Sequence, residues 1–190
     1  MYYKIERNIF IGNTEIGEKK PTYFIADIAA NHDGSLERAK DLICQAADAG
    51  ANAAKFQHFS AETIVSDYGF KSLGDQSSHQ KNWTNSVFDV YQSASINIDW
   101  TGDLKNACDE AGITFFTSPY SKEMVDHVDK FVEAYKIGSG DISWLDIIDY
   151  MSEKGKPILL ATGASTISDV IQALDVILKK QTNVVLMQCN

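Results

Sequence analysis

Charged side chains interrupt apolar runs at three places in this sequence: Asp27 in "YFIADIAANHDGS", Lys55 in "AAKFQHF" and Lys136 in "AYKIGS". A charge inside such a run must be paired, solvated or spent on a ligand. Other polar residues keep the same company, late in an apolar run or in the turn after it: Asn31 and His32, Gln57 and His58, Thr117 and Ser118, Ser139 and Asp141, and Thr162. Two ammonium groups with nearby hydroxyls, beside backbone amides left open by Gly138 and Gly140, suit a phosphate or a carboxylate. Strand alternation sharpens the grouping, because Ile25, Asp27 and Ala29 share one face and Ala53, Lys55 and Gln57 share another. The structural alternative is an ion pair between Asp27 and Lys55 on neighbouring strands, with no ligand involved.

The elements that must position these residues have a regular cadence. Short apolar runs, "FIADIA", "AAKFQHF", "ITFFTS", "AYKIGS", "PILLAT" and "VVLMQC", alternate with turns and amphipathic stretches. Four of them begin near residues 113, 134, 157 and 184, spacings of 21, 23 and 27 residues that fit a strand plus a crossover helix. That is the βαβ pattern, and it predicts a parallel sheet. In such a sheet every strand ends at the same edge, so polar residues distant in sequence converge there. Helices are expected after Ser35 with a stop at Gly50, before Gly112, and after a cap at Thr166 or Ser168 with lysines in the last turn. Residues 1–20 read as a hairpin turning at Gly12-Asn13. The connection from 60 to 99 is long for its place and reads either as a lid, with a short helix near "SVFDVYQ", or as a surface insertion.

Composition narrows the function classes. The 190 residues, 44% hydrophobic and 23% charged, suit one globular domain. A formal charge of -9 argues against nucleic acid or an anionic membrane as partner. No apolar run reaches the ~18 residues of a membrane span, and no leader pattern stands at the start, so a cytoplasmic location is the default expectation. Cys44, Cys108 and Cys189 form neither a disulfide framework nor a metal motif and read as small buried thiols. His32 reads as a turn residue, His58 as a sheet residue beneath outer helices, and His79 and His127 as solvated. Asn31 and Asp33 suit a turn into the following helix.

Taken together, "IADIAANHDGSLERAKDLI", "AGANAAKFQHF", "FFTSPYS", "AYKIGSGDI", "GKPILLATGAS" and "VVLMQCN" resemble, in order and spacing, the sialic acid synthase family. These N-acylneuraminate synthases include the legionaminate and pseudaminate synthases. The resemblance implies a TIM (β/α)8 barrel, present here as about six βα units over residues 21–190. It implies condensation of phosphoenolpyruvate with an N-acetylmannosamine-type amino sugar, giving a nonulosonic acid and phosphate with a divalent metal, Mn2+ or Mg2+. By the same resemblance Lys55, Ser118, Lys136 and Ser139 contact phosphoenolpyruvate, Gln57 and Asp141 lie near the sugar, and Asp27 is the catalytic carboxylate. The full protein is expected to be a homodimer.

Three departures stand out. Asp replaces the family's glutamate at 27 and 141, and Ala161 replaces a serine. Each aspartate is one methylene shorter, and a shift of about 1 Å in a catalytic group costs on the order of 100-fold in rate. The family's metal ligands, its last barrel strands and its antifreeze-like domain are expected beyond Asn190, so the chain alone is expected to be inactive. Competing readings are another phosphoenolpyruvate-dependent 3-deoxy-ulosonate synthase, a Schiff-base aldolase and a non-catalytic binding module.

Overall fold

The computed structural model describes residues 6–72 and 83–189. A hairpin of β1 (Asn8–Ile11) and β2 (Thr14–Gly17) precedes six parallel strands: β3 (Ile25–Ala29), β4 (Ala53–His58), β5 (Thr114–Pro119), β6 (Tyr135–Ile137), β7 (Ile158–Ala161) and β8 (Val184–Met187). They pair in chain order, β3-β4-β5-β6-β7-β8. All six apolar runs of the sequence are therefore strands, and the hairpin turns where expected; its residues 1–5 lie outside the described part.

The strands curl into a half-barrel whose two faces pack against different partners. Phe56, Phe115, Tyr135, Ile137, Ile158 and Leu160 face the outer helices and form the larger core with Ile43, Leu104, Val125 and Ile148. The inner face holds a second cluster, in which Phe116, Ala134 and Leu159 pack with Ile9 and Ile11 of the hairpin. Alternation in β1 buries Ile9 and Ile11 and exposes Asn8 and Phe10, so the hairpin plugs the N-terminal end of the half-barrel. Burying each isoleucine contributes about 1.5–3 kcal/mol.

The helices obey local rules. α1 (Leu36–Asp48) starts at Ser35, whose hydroxyl accepts from the Arg38 amide. In the long connection α2 (Ala61–Ile64) and α3 (Asp67–Ser72) appear where no helix was expected, and α4 (Val87–Ala94) falls on "SVFDVYQ". The central part of that connection, His79 included, lies outside the described residues. α5 (Thr101–Glu110) and α6 (Lys122–Asp129) flank β5, and α7 (Leu145–Glu153) follows β6. α8 (Ile167–Ile177) begins with a capping box of Thr166 and Asp169, which settles the choice of cap. The lysines expected in its last turn lie beyond its end, where Lys180 pairs with Asp149 and Glu153 of α7.

Candidate functional site

Register builds the site. In the sheet Asp27 lies opposite Lys55, and Lys55 opposite Phe116. One step further along, Gln57 lies opposite Ser118. Thr117 pairs with Tyr135, which brings Ser118 level with Lys136. After β6 the chain makes a single 3-10 turn, Ser139–Asp141, over the same edge.

The Asp27–Lys55 ion pair forms, with Nζ donating to Oδ1 at 2.7 Å. Its two halves are unequal: the Lys55 side chain is 8% exposed and that of Asp27 62% exposed. Asp27 is therefore both paired and solvated, although the run around it is apolar. β3 is an edge strand of the sheet, a bulge follows Asp27, and the carboxylate stands open on the inner face. Beyond the bulge Ala29 adopts φ 53°, a left-handed conformation that costs an L-residue about 1–2 kcal/mol. Such strain gathers where a strand end is re-aimed.

Lys136 lies half-buried near Lys55, and its Nζ donates to the Ile137 carbonyl at 2.8 Å. Burial, then the neighbouring Lys55 ammonium, pulls it below the usual lysine range. Two ammonium groups that raise each other's cost gain most from an anion placed between them. Ser118, Lys136, Gly138, Asp141, Tyr120 and Trp144 line one small cavity. Burial holds the Asp141 carboxyl above its ordinary value, with Lys136 opposing. The Asp141 carboxylate lies close over Gly138, where a Cβ would come within 2.7 Å of its Oδ2.

The remaining candidates join the same edge. Gln57 Nε2 donates to the Tyr120 hydroxyl at 3.2 Å. The Ser139 hydroxyl donates to Cys189 Sγ, as does the Gly163 amide, and with Lys136 nearby these lower the thiol from its ordinary range. A Cβ on Gly163 would meet Cys189 Sγ at 2.7 Å and Ser139 Cβ at 3.1 Å. Asp27, Lys55, Gln57, Ser118, Lys136, Ser139 and Asp141 are thus brought to one end of the half-barrel.

Other polar residues of the sequence are spent elsewhere. Thr162 donates to the Met187 carbonyl at 3.2 Å and ties β7 to β8. Asn31 Nδ2 donates to the Ile28 carbonyl. Thr117 faces the helices, where His58 accepts from it at Nδ1 and donates from Nε2 to Thr101, a tautomer fixed because the Thr101 hydroxyl itself donates to the Ile98 carbonyl. His127, expected in solvent, is half-buried and donates to the same Thr101 oxygen. His32 is fully buried, with Nδ1 accepting from the Gly34 amide and its ring edge-on to Trp100. Of the three thiols Cys108 is buried, whereas Cys44 and Cys189 are exposed, against expectation.

Two side chains of the site were not anticipated, Tyr120 and Cys189. Strand parity marks both: Tyr120 stands two residues after Ser118, and Cys189 two after Met187, whose side chain packs in the inner cluster. Among the described residues no group of three or more His, Cys, Asp or Glu converges as a metal site. Asp27 is engaged by Lys55 and Asp141 is tucked over Gly138, so these residues do not make the donor set that a divalent ion needs.

Sequence comparison gives independent findings. The pattern of the NeuB family matches residues 42–190. The spore coat polysaccharide biosynthesis protein SpsE of Bacillus subtilis is 31% identical over 94% of this chain and 47% of its own length. The N,N'-diacetyllegionaminic acid synthase of Campylobacter jejuni is 30% identical over 90% of the chain and 52% of its own. The crystal structure of an N-acetylneuraminic acid synthetase from Leptospira borgpetersenii, in complex with citrate, superposes with a TM-score of 0.81 at 26% identity. That match covers 99% of this chain and 61% of the other. The chain spans about half the length of the curated relatives it matches.

Proposed function

The chain belongs to the NeuB family, and from that premise we propose that it holds the phosphoenolpyruvate-binding half of an enzyme making a sialic-acid-like nonulosonic acid. The observation that carries the reading is the layer of Lys55, Lys136 and Ser118 beside Asp27, at one end of a parallel half-barrel. C3 of phosphoenolpyruvate forms a carbon–carbon bond to the aldehyde carbon of an open-chain N-acetylmannosamine-type sugar. Water adds at C2, the bond between C2 and the bridging phosphate oxygen breaks, and phosphate departs with that oxygen, leaving a 2-keto acid. Lys55 and Lys136, with the hydroxyls of Ser118 and Ser139, hold the phosphate and carboxylate and offset the charge that develops at C2. Asp27, oriented by Lys55, handles protons at the reacting carbons, and Gln57 and Asp141 meet the sugar. A divalent metal would polarise the aldehyde in such chemistry, with ligands from outside the described residues.

The (β/α)8 barrel, closed by two further βα units and followed by an antifreeze-like domain, belongs to the same proposal, as do a homodimer and a cytoplasmic location. Among the described residues the outer edges of β3 and β8 have no strand partner, and bare sheet edges invite pairing, which supports further strands there. Among the described residues no helix is long and apolar enough to cross a membrane.

Calorimetric titration of the chain with phosphoenolpyruvate tests the anion site: saturable binding is expected, and its absence would sink the reading. Sugar-dependent phosphate release in the presence of Mn2+ tests the reaction. Release is expected from the longer protein and not from these 190 residues alone. A second reading, a Schiff-base aldolase, draws on the lowered basicity of half-buried Lys136. Borohydride trapping of a substrate–lysine adduct would favour it.

A further inference from the structure

The hydrogen bonding of the Tyr120 hydroxyl is half complete. It accepts from Gln57 Nε2 at 3.2 Å, and a phenol that accepts still has a proton to place. The ring is held in position: Phe59 packs edge-on against it at 6.0 Å between centroids, with planes at 90°. The chain enters Tyr120 with its amide bonded to the His58 carbonyl, which ties the end of β5 to the end of β4. The hydroxyl therefore stands in a defined place before any ligand arrives.

Its surroundings add further hydrogen-bonding groups. An ideal Cβ at Gly138 would lie 2.7 Å from Asp141 Oδ2 and 3.8 Å from the Tyr120 oxygen, so both oxygens stand over one backbone position. Amide, phenol and carboxylate follow one another across the ends of β4, β5 and β6, and Ser118 and Lys136 line the same cavity. Burial first, then the Asp141 charge, pushes the Tyr120 hydroxyl up to about 12, so it stays protonated and remains a donor throughout the neutral range.

We propose that Tyr120 is a specificity-determining residue of this site, donating its free proton to one hydroxyl of the acceptor sugar beside Gln57 and Asp141. The assignment rests on the condensation reading above. It ties discrimination at that one hydroxyl to the Tyr120 oxygen, because a site built to bond a hydroxyl disfavours the analogue that lacks it. Phosphoenolpyruvate, held by the lysines and serines, is not addressed by this group.

The test uses the longer active protein, with phosphate release followed for wild type and Tyr120→Phe against N-acetylmannosamine and its single-deoxy analogues. Tyr120→Phe keeps the ring and its packing, and a thermal melt checks the fold. The expected result is a fall of about tenfold in kcat/KM for the sugar, with KM for phosphoenolpyruvate unchanged. For one deoxy sugar the difference between wild type and variant should vanish. Unchanged sugar kinetics, equal losses for both substrates, or the same wild-type-to-variant ratio for every analogue would each overturn the proposal. Absence of sugar-dependent phosphate release in wild type would instead overturn the condensation reading, and this assignment with it.

Discussion

One strand presents two kinds of polar chemistry on its two faces. On the outer face of β4, His58 spends both ring nitrogens, on Thr117 at 2.8 Å and on Thr101 at 2.9 Å. On the inner face Lys55 places one of three ammonium protons on Asp27, and Gln57 meets a phenol with a proton to spare. The outer network is closed and the inner one is open. A buried polar group whose bonds are complete locks neighbouring elements together, whereas one held in place with capacity left over is ready for a ligand. His58 and Gln57 are adjacent in sequence, so burial or polarity alone does not separate structure from site. The count of unspent donors does.

Breaking each face should give opposite results. Replacing His58→Ala removes a buried ring and leaves the hydroxyls of Thr101 and Thr117 without it, so stability should fall by about 3 kcal/mol in urea denaturation. On the inner face, Lys136→Met should weaken phosphoenolpyruvate binding about 10- to 100-fold, the range of a lost charged hydrogen bond, as read by calorimetry. Its melting temperature should hold or rise, because a half-buried ammonium is costly to keep without an anion. A loss of stability in Lys136→Met as large as in His58→Ala would erase the distinction between the faces.

Acid titration sharpens the comparison further. Burial first, then the nearby His127 and His32, lowers His58 from 6.5 to about 3. The unfolded chain binds that proton first as pH falls, so the stability due to neutral His58 is complete above 6.5 and is lost progressively toward 3. The slope approaches about 1.4 kcal/mol per pH unit. Urea unfolding between pH 7.5 and pH 5 should show it in wild type, and His58→Ala should flatten the curve. Equal slopes in the two proteins would show that His58 is not the group responsible.

The sequence disclosed more of the fold than of the site's detail. Six strands were legible because alternation and a spacing of 21 to 27 residues leave little freedom in a parallel sheet, and Ser35, Gly50 and Gly112 punctuated the helices. Convergence of Lys55, Lys136 and Ser118 followed from topology alone. The exposure of Asp27 was not legible, since it depends on the bulge after it and on the edge position of β3. His127 was misplaced because its partner Thr101 lies 26 residues away, across two packed helices. Helices α2 and α3 went unseen, being too short to show a period. Tyr120 was readable by parity but lay one residue past the strand.

Cys189 offers the finest probe of the open face. Hydrogen bonds from Ser139 first, then from the Gly163 amide, together with the Lys136 ammonium, favour its thiolate, whereas burial pushes Cys108 up to about 12. Iodoacetamide at neutral pH should therefore modify Cys189 well before Cys108, as peptide mass mapping would read. Alkylation should follow a pH profile that Ser139→Ala shifts upward, slowing the reaction a few-fold at pH 7, because less of the thiol is then ionised. Because Ser139 and Lys136 are the groups assigned to the anion, saturating phosphoenolpyruvate should also slow alkylation, by steric cover and by drawing both donors away from sulfur. Modification of Cys189 at an unchanged rate in the presence of phosphoenolpyruvate would place the anion away from Ser139 and restrict the open face to Lys55 and its neighbours on β4 and β5.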